Sequence, residues 1–319
     1  MFKKIIILAC ILTTVCARIN AQIYLPENNG ERLKETLEEG RLDVPAFSLE
    51  WIFAAHQFWM YRGEEEYMKT LLPTERNILS WFEMYLKEDN CLHNLPEQNF
   101  FHVSEADSAV LAVDTQGRNA FLDIMYILAL KKAAEMESDF GNPGIGMAWR
   151  QTADRIGFTF RGWYWDNGRK MFADNSGRGS FSQHVNILAI LAGIISGEEA
   201  VSLLGSILED KTILQCSEDF SPYFKEARRV CLGPEPGEVV IIPLEAGFTK
   251  VLIEPSSEGI TRYESSVQHP HGAVEVKCIM RKKHLTAEVN LPSGITGIFR
   301  WNGKEMALTG GKNKIIISK

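Results

Sequence analysis

The sequence lacks a membrane-length apolar run and lacks a concentrated basic cluster of the kind that binds nucleic acid. Its apolar stretch at residues 5–15 is shorter than the roughly 20 residues that a transmembrane helix needs. The net charge is -7 and the pI is about 5.6, which argues against nucleic-acid binding because phosphate neutralisation needs a concentrated basic face. With 319 residues, 45% of them hydrophobic, the chain can bury a large core and form two domains.

Cysteine is scarce, and its spacing excludes the common metal and redox motifs. Two of the six cysteines lie within the first 21 residues, and the others show no CxxC or metal-ligand spacing. They are Cys91, Cys216, Cys231 and Cys278. We expect scattered thiols, although an oxidising compartment permits a bridge between Cys216 and Cys231. No cofactor is predicted.

The first residues have the form of a secretory signal peptide. Lys3 and Lys4 precede the apolar stretch, and small and polar residues follow it up to Ala21. We expect cleavage near Ala21 and a mature chain that is periplasmic or secreted. The first 21 residues are therefore set apart from the folded domains.

Helical periodicity recurs in pairs of segments from residue 47 to residue 207. In the first pair, the first helix is predicted to end near Gly63 and the second to open at Pro73. The next helix spans residues 120–136, and Asn142 and Pro143 cap the one after it. A third pair lies on either side of Gly197. Serial αα-hairpins form a bundle, a solenoid or a closed toroid, and periodicity alone does not choose among them.

The pattern changes at the Gly/Pro-rich residues 233–237, after which apolar and polar residues alternate as in half-buried strands. An Asn-Gly turn at Asn302 and Gly303 predicts a hairpin. We therefore predict a signal peptide at residues 1–21, a helical domain at 22–232 and a β domain at 238–319.

Several stretches, in the same order along the chain, resemble the α-L-rhamnosidases of glycoside hydrolase family 78. In the helical part they are Val44-Pro45-Ala46-Phe47-Ser48-Leu49, Phe58-Trp59-Met60-Tyr61-Arg62-Gly63, Leu72-Pro73, Trp81-Phe82-Glu83 and Phe181-Ser182-Gln183-His184-Val185-Asn186. In the β part they are Pro243-Leu244-Glu245-Ala246-Gly247-Phe248, Val251-Leu252-Ile253-Glu254-Pro255, His269-Pro270-His271-Gly272 and Phe299-Arg300-Trp301-Asn302-Gly303-Lys304.

The resemblance implies a six-hairpin (α/α)6 toroid followed by a C-terminal antiparallel β-sandwich. It also implies inverting hydrolysis of terminal α-L-rhamnosyl bonds, with a rhamnose-containing oligo- or polysaccharide as partner. Inversion needs two carboxyl groups about 6.5–9.5 Å apart, one to protonate the leaving oxygen and one to activate water.

The segments that carry both carboxylates in that family have no counterpart here. Few residues precede Pro45, and Arg229 is followed almost directly by the Gly/Pro segment. His102 and Val103 stand where the family usually has an Asp-Trp pair. We expect a truncated or degenerate member that is inactive by itself. A non-catalytic carbohydrate-binding protein and an active glycosidase with relocated carboxylates are the alternatives.

Glu105 and Asp107 are the weak candidates for relocated catalytic carboxylates, because they follow the stretch that should face the toroid's funnel. The other acidic candidates, read as solvated or capping residues, are Glu50, Asp123, Asp166 and Asp174. The residues predicted to contact sugar are Asn99, Phe100, His102, Gln183 and His184. His269 and His271 have the spacing of a metal pair but match a turn of the family's sandwich, so no metal site is predicted.

Two further expectations concern packing. The aromatic residues would be sugar platforms if exposed, but helical spacing favours the core for most of them. They are Trp51, Phe58, Trp59, Trp81, Trp163 and Trp165. A closed ring needs twelve helices, and residues 22–230 have room for seven or eight. An incomplete ring leaves an apolar face uncovered, which predicts self-association, a partner or marginal stability.

Overall fold

The computed structural model describes residues 45–96, 113–281 and 284–318. These residues fall into two compact units. The helical unit contains residues 45–56, 66–96 and 113–231 of the described chain, and the β unit contains residues 57–65 and 232–318. No helix of the described residues is both long and apolar enough to cross a membrane.

Seven α-helices lie in the described residues. They are α1 (Pro45–Arg62), α2 (Glu65–Glu83), α3 (Ala120–Phe140), α4 (Pro143–Tyr164), α5 (Gln183–Leu191), α6 (Gly197–Glu209) and α7 (Ser221–Leu232). Short connections join the first six into three hairpins, as the paired periodicity predicted. A closed six-hairpin ring contains six such pairs, so the described part accounts for half of one.

Burial alternates along the helices. In the helical unit α1, α3 and α5 are buried on nearly every side, whereas α2, α4 and α6 bury one face each. A helix that is apolar all round lies inside a larger core, and an amphipathic helix lies at its surface. The unit therefore has an inner and an outer layer, with one helix of each hairpin in each layer.

The hairpin of α3 and α4 shows how local sequence sets the helix ends. Asn142 accepts a hydrogen bond from the backbone N–H of Gly144, and Pro143 occupies the first turn, as predicted. A side chain at Gly146 would place its Cβ 2.7 Å from the carbonyl oxygen of Ala134. Only glycine permits the two helices to approach so closely there.

The prediction that Pro73 opens the second helix is wrong. Helix α2 begins at Glu65, directly after Gly63 ends α1 in the left-handed conformation with φ of 61°. Pro73 lies inside α2 because the apolar stripe runs through it, from Met68 and Leu72 before it to Ile78 after it. The lost backbone hydrogen bond is offset by burial of this stripe.

Two four-stranded sheets form the β unit. The strands are β3 (Val239–Glu245), β4 (Lys250–Pro255), β5 (Arg262–His269), β6 (Gly272–Arg281), β7 (His284–Leu291), β8 (Thr296–Trp301), β9 (Lys304–Leu308) and β10 (Gly311–Ser318). One sheet has the order β10-β7-β6-β5 and the other β3-β4-β8-β9. A two-stranded hairpin in the helical unit, β1 (Trp165–Asp166) with β2 (Met171–Phe172), links α4 to α5.

The sheets are antiparallel except at one pair. Strands β4 and β8 run parallel, with Val251 opposite Gly297 and Ile253 opposite Phe299. The expected antiparallel sandwich is therefore correct for one sheet, while the other is mixed. The whole β5–β7 meander separates these two strands in sequence, so no hairpin turn forces them to be antiparallel.

One hydrophobic core fills the β unit, and both sheets contribute to it. Val251, Ile253, Phe299 and Trp301 come from one sheet. The facing residues of the other sheet are Val274, Val276, Cys278, Leu285, Ala287, Val289, Leu291, Ile315 and Ile317. Their alternation in sequence is the period-two pattern that predicted strands.

Strand β10 offers a direct test of this sandwich. Ile315 is 2% exposed and its neighbour Ile316 is 64% exposed, so the two side chains point to opposite faces. We expect Ile315→Ala to lower the free energy of unfolding by about 2–5 kcal/mol because it leaves a cavity. Ile316→Ala should lower it by less than about 0.5 kcal/mol. Urea titration followed by tryptophan fluorescence measures both, and equal losses would contradict the inward face assigned to β10.

Candidate functional site

The loops that precede α3 and α5 meet at the N-terminal ends of these buried helices. The backbone N–H of Ala120, the first residue of α3, donates to the carbonyl oxygen of Asp174 at 2.9 Å. Asn94 donates from its backbone N–H to the carbonyl oxygen of Gly117 at 3.0 Å. The two inner helices thereby present polar loop residues at one end of the helical unit.

Arg118 organises the first group of these residues. Its guanidinium donates to Asp114 at 2.8 Å, to Asp89 at 3.3 Å and to the hydroxyl of Ser176 at 3.0 Å. It also lies over the ring of Trp163, 4.1 Å from the ring centre. Burial opposes ionisation of Asp114, but hydrogen bonds from Ser176 and Arg118 outweigh it and lower the pKa of Asp114 to about 2. Asp114 is therefore a permanent anion that holds the loop.

Asp123 forms the second group. Its carboxylate is 0% exposed and accepts hydrogen bonds from the hydroxyl of Tyr164 at 2.6 Å and from the backbone N–H of Leu92 at 2.8 Å. Burial raises the pKa of Asp123 to about 7, and these hydrogen bonds limit the rise. Cys91 lies beside the same tyrosine, and burial raises the pKa of its thiol well above the usual range. The group ties α3 to α4 and to the loop after α2.

The third group surrounds the first turn of α5. Ser182 caps this helix and donates its hydroxyl to Asp174 at 2.5 Å. Asp174 is 1% exposed, and burial raises its pKa to about 6, against the opposing effects of Ser182, Ser180 and His184. A carboxyl group with this pKa can exchange a proton near neutral pH. Because Ser182 also caps α5, the carboxyl group of Asp174 helps to hold the N-terminal end of this helix.

Aromatic side chains lie against His184 in the same region. The ring centre of His184 lies 4.5 Å from that of Phe220 and 6.4 Å from that of Phe121. Phe220 packs on Tyr223 with ring centres 4.8 Å apart and an interplanar angle of 33°. Phe220 and Tyr223 are half-buried, whereas Phe121 and His184 are buried. Part of an aromatic pair therefore reaches solvent beside a polar ring, a combination that suits a sugar.

Of the other residues predicted to contact sugar, Gln183 lies within the part of the chain that the structure describes. Gln183 is buried and its amide is engaged within the protein: it donates to Ile207 and Gln215 and accepts from the backbone N–H of Cys216. Its position favours a role in holding the loop after α6, and sugar contact by Gln183 stays a prediction. The remaining candidates lie outside the described residues, namely Asn99, Phe100, His102, Glu105 and Asp107.

Two tryptophans that could have served as platforms have their faces covered. Arg118 lies over Trp163, and Arg161 lies over Trp165 at 4.5 Å from the ring centre. The expectation of core positions is met by Trp51, Phe58 and Trp59, which are buried. Trp81 is half-buried and packs edge-on against Phe82.

His269 and His271 do not form a metal pair. The Nδ1 atom of His269 accepts the backbone N–H of His271 at 3.0 Å, so its Nε2 atom carries the proton and donates to the carbonyl oxygen of Phe248 at 2.9 Å. Both ring nitrogens of His269 are thus engaged. Within the described ranges, no three His, Cys, Asp or Glu side chains gather as a metal site. Their four cysteines are free thiols, including Cys216 and Cys231.

Sequence reasoning missed the Arg118 group. Its local signal was present: Asp114 and Arg118 are four residues apart on either side of a turn at Gly117. Asp89 and Ser176 come from distant loops, and no spacing in the sequence indicates that they converge on one guanidinium.

The raised pKa of Asp174 predicts a pH-dependent contribution to stability. The pKa of Asp174 in the folded protein is about 6 and lies above its ordinary value, so the protonated carboxyl stabilises the folded state. This stabilisation is complete below about pH 4 and is lost as the pH rises through 6. Asp174→Asn keeps an acceptor for Ser182 but does not titrate. The unfolding free energy of the native chain, relative to this variant, should fall by up to roughly 3 kcal/mol between about pH 4 and pH 7. Urea titrations across this range test it, and a pH-independent difference would contradict it.

Comparison with known proteins shows what the two units resemble. Residues 240–315 match the bacterial alpha-L-rhamnosidase C-terminal domain. The GH78 family rhamnosidase of Bacillus sp. GL1 aligns with 90% of this chain and 39% of its own, with a TM-score of 0.66 and 15% identity. The α-L-rhamnosidase of Aspergillus terreus aligns with 83% of this chain and 38% of its own, with a TM-score of 0.58 and 10% identity.

A third similar structure is the Streptomyces avermitilis α-L-rhamnosidase complexed with L-rhamnose. It aligns with 85% of this chain and 32% of its own, with a TM-score of 0.57 and 12% identity. No curated protein matches the sequence. This chain spans about two fifths or less of the length of these three rhamnosidases. The chain is therefore similar in fold to GH78 rhamnosidases, and its residues 240–315 are similar to the bacterial alpha-L-rhamnosidase C-terminal domain.

Proposed function

We propose that this chain is a glycosidase-derived scaffold that binds a rhamnose-containing glycan at the N-terminal ends of α3 and α5 and does not hydrolyse it by itself. The observation that carries the proposal is the state of four carboxyl groups at this end, those of Asp89, Asp114, Asp123 and Asp174. Each of them serves as a hydrogen-bond acceptor that holds a loop or a helix end.

The four carboxyl groups differ in environment but share this role. Asp89 and Asp114 accept from Arg118, Asp123 accepts from Tyr164, and Asp174 accepts from Ser182. An inverting glycosidase needs a proton donor and a water-activating carboxylate that face the sugar across a gap. Carboxyl groups that are already committed to the fold would lose these hydrogen bonds if they turned towards a substrate, which supports binding without turnover.

Binding itself is supported by the aromatic pair Phe220 and Tyr223 beside His184. Apolar sugar faces stack on aromatic rings, while an imidazole can donate to or accept from a hydroxyl group. The structure of the Streptomyces avermitilis relative contains L-rhamnose, which supports rhamnose as the sugar to test first. Because this chain spans about two fifths or less of its relatives, the activity of a complete rhamnosidase does not transfer to it directly.

Titration calorimetry with methyl α-L-rhamnoside tests the binding step. We expect measurable heat of binding for the native chain and about three- to tenfold weaker affinity for Tyr223→Ala, as expected for loss of one aromatic contact. Phe158→Ala is the matched control, because Phe158 is 88% exposed on α4 and should leave the affinity unchanged. Absence of binding, or an equal loss in both variants, would contradict the proposal.

An aryl α-L-rhamnoside tests the catalytic step with the same protein. We expect no release of aryl alcohol above the level of a heat-denatured sample. Turnover that disappears in Glu105→Gln or Asp107→Asn would instead establish an active glycosidase with relocated carboxylates. Turnover that these variants leave intact would place the catalytic carboxylates elsewhere and equally contradict the proposal.

Export is a further part of the proposal and rests on the basic, apolar and small-residue order of residues 1–21. Expression in a Gram-negative host should give a periplasmic product whose intact mass corresponds to a chain that begins near Gln22. Deletion of residues 5–15 should keep the chain in the cytoplasm, and an unprocessed native product would contradict export.

Self-association also stays a prediction, and a monodisperse monomer in light scattering would contradict it.

A further inference from the structure

A second group of interacting side chains lies towards the other end of α3. It consists of His56 on α1 and of Lys132 and Glu135 on α3. Lys132 is thirteen residues from Asn119, the cap of α3, which corresponds to about 20 Å along a helix. The group is therefore separate from the candidate sugar site.

The three side chains form a chain of contacts. The Nε2 atom of His56 lies 2.8 Å from Oε2 of Glu135, and its Nδ1 atom lies 3.5 Å from Nζ of Lys132. The amine also lies over the ring of Phe53, 5.9 Å from its centre. His56 is 9% exposed, Lys132 is half-buried, and Glu135 is open to solvent. The imidazole is thus held between a carboxylate that reaches solvent and an amine that the protein partly encloses.

The carboxylate sets the tautomer of the imidazole. A carboxylate is an acceptor only, so Nε2 of His56 must donate to Glu135 and the lone pair of a neutral ring must lie on Nδ1, towards Lys132. This is the arrangement in which a base is oriented by a third group and faces a nucleophile. Here the nucleophile is a primary amine in place of a hydroxyl or thiol.

The electrostatics of the group favour an uncharged amine and imidazole. Burial lowers the pKa of Lys132, while Glu135 and Glu226 on α7 act in the opposite direction. Burial, and then the charge of Lys132, lower the pKa of His56 against the effects of Glu135 and Asp139. Glu135 has its own pKa lowered, chiefly by the hydrogen bond with His56 and also by the charges of Lys132 and Arg150. Two basic side chains, Lys132 and His56, therefore share the carboxylate of Glu135, and a positive charge on one opposes a positive charge on the other.

We propose that Lys132 is a reactive amine that condenses with aldehydes such as open-chain reducing sugars, with His56 as proton acceptor and Glu135 as the residue that positions His56. Nζ attacks the carbonyl carbon, a nitrogen–carbon bond forms, and the carbonyl electrons move to oxygen. His56 accepts a proton from Nζ and returns it to this oxygen. A second proton of the amine follows as the carbon–oxygen bond breaks, so that the products are an imine and one water molecule.

Reductive trapping measures this reactivity on the full chain. The protein is treated with dilute glyceraldehyde and sodium cyanoborohydride at about pH 7, and peptide mass spectrometry measures the labelled fraction of each lysine. We expect Lys132 to be labelled about tenfold faster or more than the exposed lysines Lys312 and Lys314, given the usual size of positioned proton transfer. Lys131 is the adjacent control, because its amine donates to the carbonyl oxygen of Ala192 at 2.7 Å.

Variants of the two partners separate positioning from charge. Glu135→Gln removes a negative charge near Lys132, which by itself lowers the pKa of the amine and moves the pH–rate midpoint down. The amide oxygen of this variant can still accept the hydrogen bond from Nε2 of His56, so the plateau rate above the midpoint should stay nearly unchanged. Glu135→Leu removes the acceptor as well, and we expect its plateau to fall several-fold because the imidazole is no longer positioned. Glu209→Gln removes an exposed carboxylate elsewhere in the helical unit and should change neither quantity.

His56→Gln should lower the same plateau, and its folding is checked by thermal melting because His56 is buried. Glu135 is half exposed, so Glu135→Leu keeps the test valid even where the histidine variant does not fold. Labelling of Lys132 no faster than that of Lys312 and Lys314 would overturn the proposal. An unchanged plateau in Glu135→Leu would also overturn it, since the side chain of Glu135 would then position nothing.

Discussion

Helix α3 is buried along most of its length, and this burial dictates how its buried polar side chains behave. A buried polar or charged group keeps the fold stable only when it has a partner inside the protein. Asp123 and Glu137, near the two ends of the helix, are both 0% exposed. Asp123 accepts from Tyr164 and Leu92, while Glu137 accepts two hydrogen bonds from Arg76 and one from the backbone N–H of Asn142. The helix is therefore anchored to its neighbours by its acids as well as by apolar contacts.

The acids near Arg76 show why a perturbed pKa does not by itself indicate catalysis. Burial, and next the charge of Glu137, raise the pKa of Glu75 to about 9. The Arg76 guanidinium donates two hydrogen bonds to Glu137, and its charge only partly opposes the rise in the pKa of Glu75, so Glu75 stays protonated at neutral pH. The same reasoning applies to Asp174, whose raised pKa comes from its place beside a helix cap. Such groups titrate unusually because they are structural and buried.

Much of the fold could be predicted from the sequence because its signals are local. The caps at Asn142 and Pro143, the hairpin turn at Asn302 and the alternation of strand residues each depend on neighbours within a few positions. Pro73 misled the prediction because tertiary burial of α2 outweighed a helix breaker. The parallel pairing of β4 with β8 was missed because it depends on how distant strands meet in a sheet, and period-two alternation is the same for both directions.

The candidate site was less predictable for a related reason. His184 was found because it stands in a stretch that resembles a family, whereas Phe220 and Tyr223 have no motif and reach His184 only through the packing of α7 and the turn before it. A guanidinium shared by Asp89, Asp114 and Ser176 likewise joins three loops. Pairwise contacts at this separation in sequence are set by the tertiary fold and leave no spacing pattern.

The two ends of α3 carry different chemistry, and the rigidity of the helix keeps them independent. Effects at sites more than about 7–10 Å apart, without shared partners, usually add rather than couple. The group of His56, Lys132 and Glu135 lies about 20 Å along the helix from the residues around Asn119, and the contacts described above for the two groups share no residue. Modification of the amine should therefore leave sugar affinity unchanged. It follows that amine reactivity and sugar binding can each be present without the other, so a failure of one says nothing about the other.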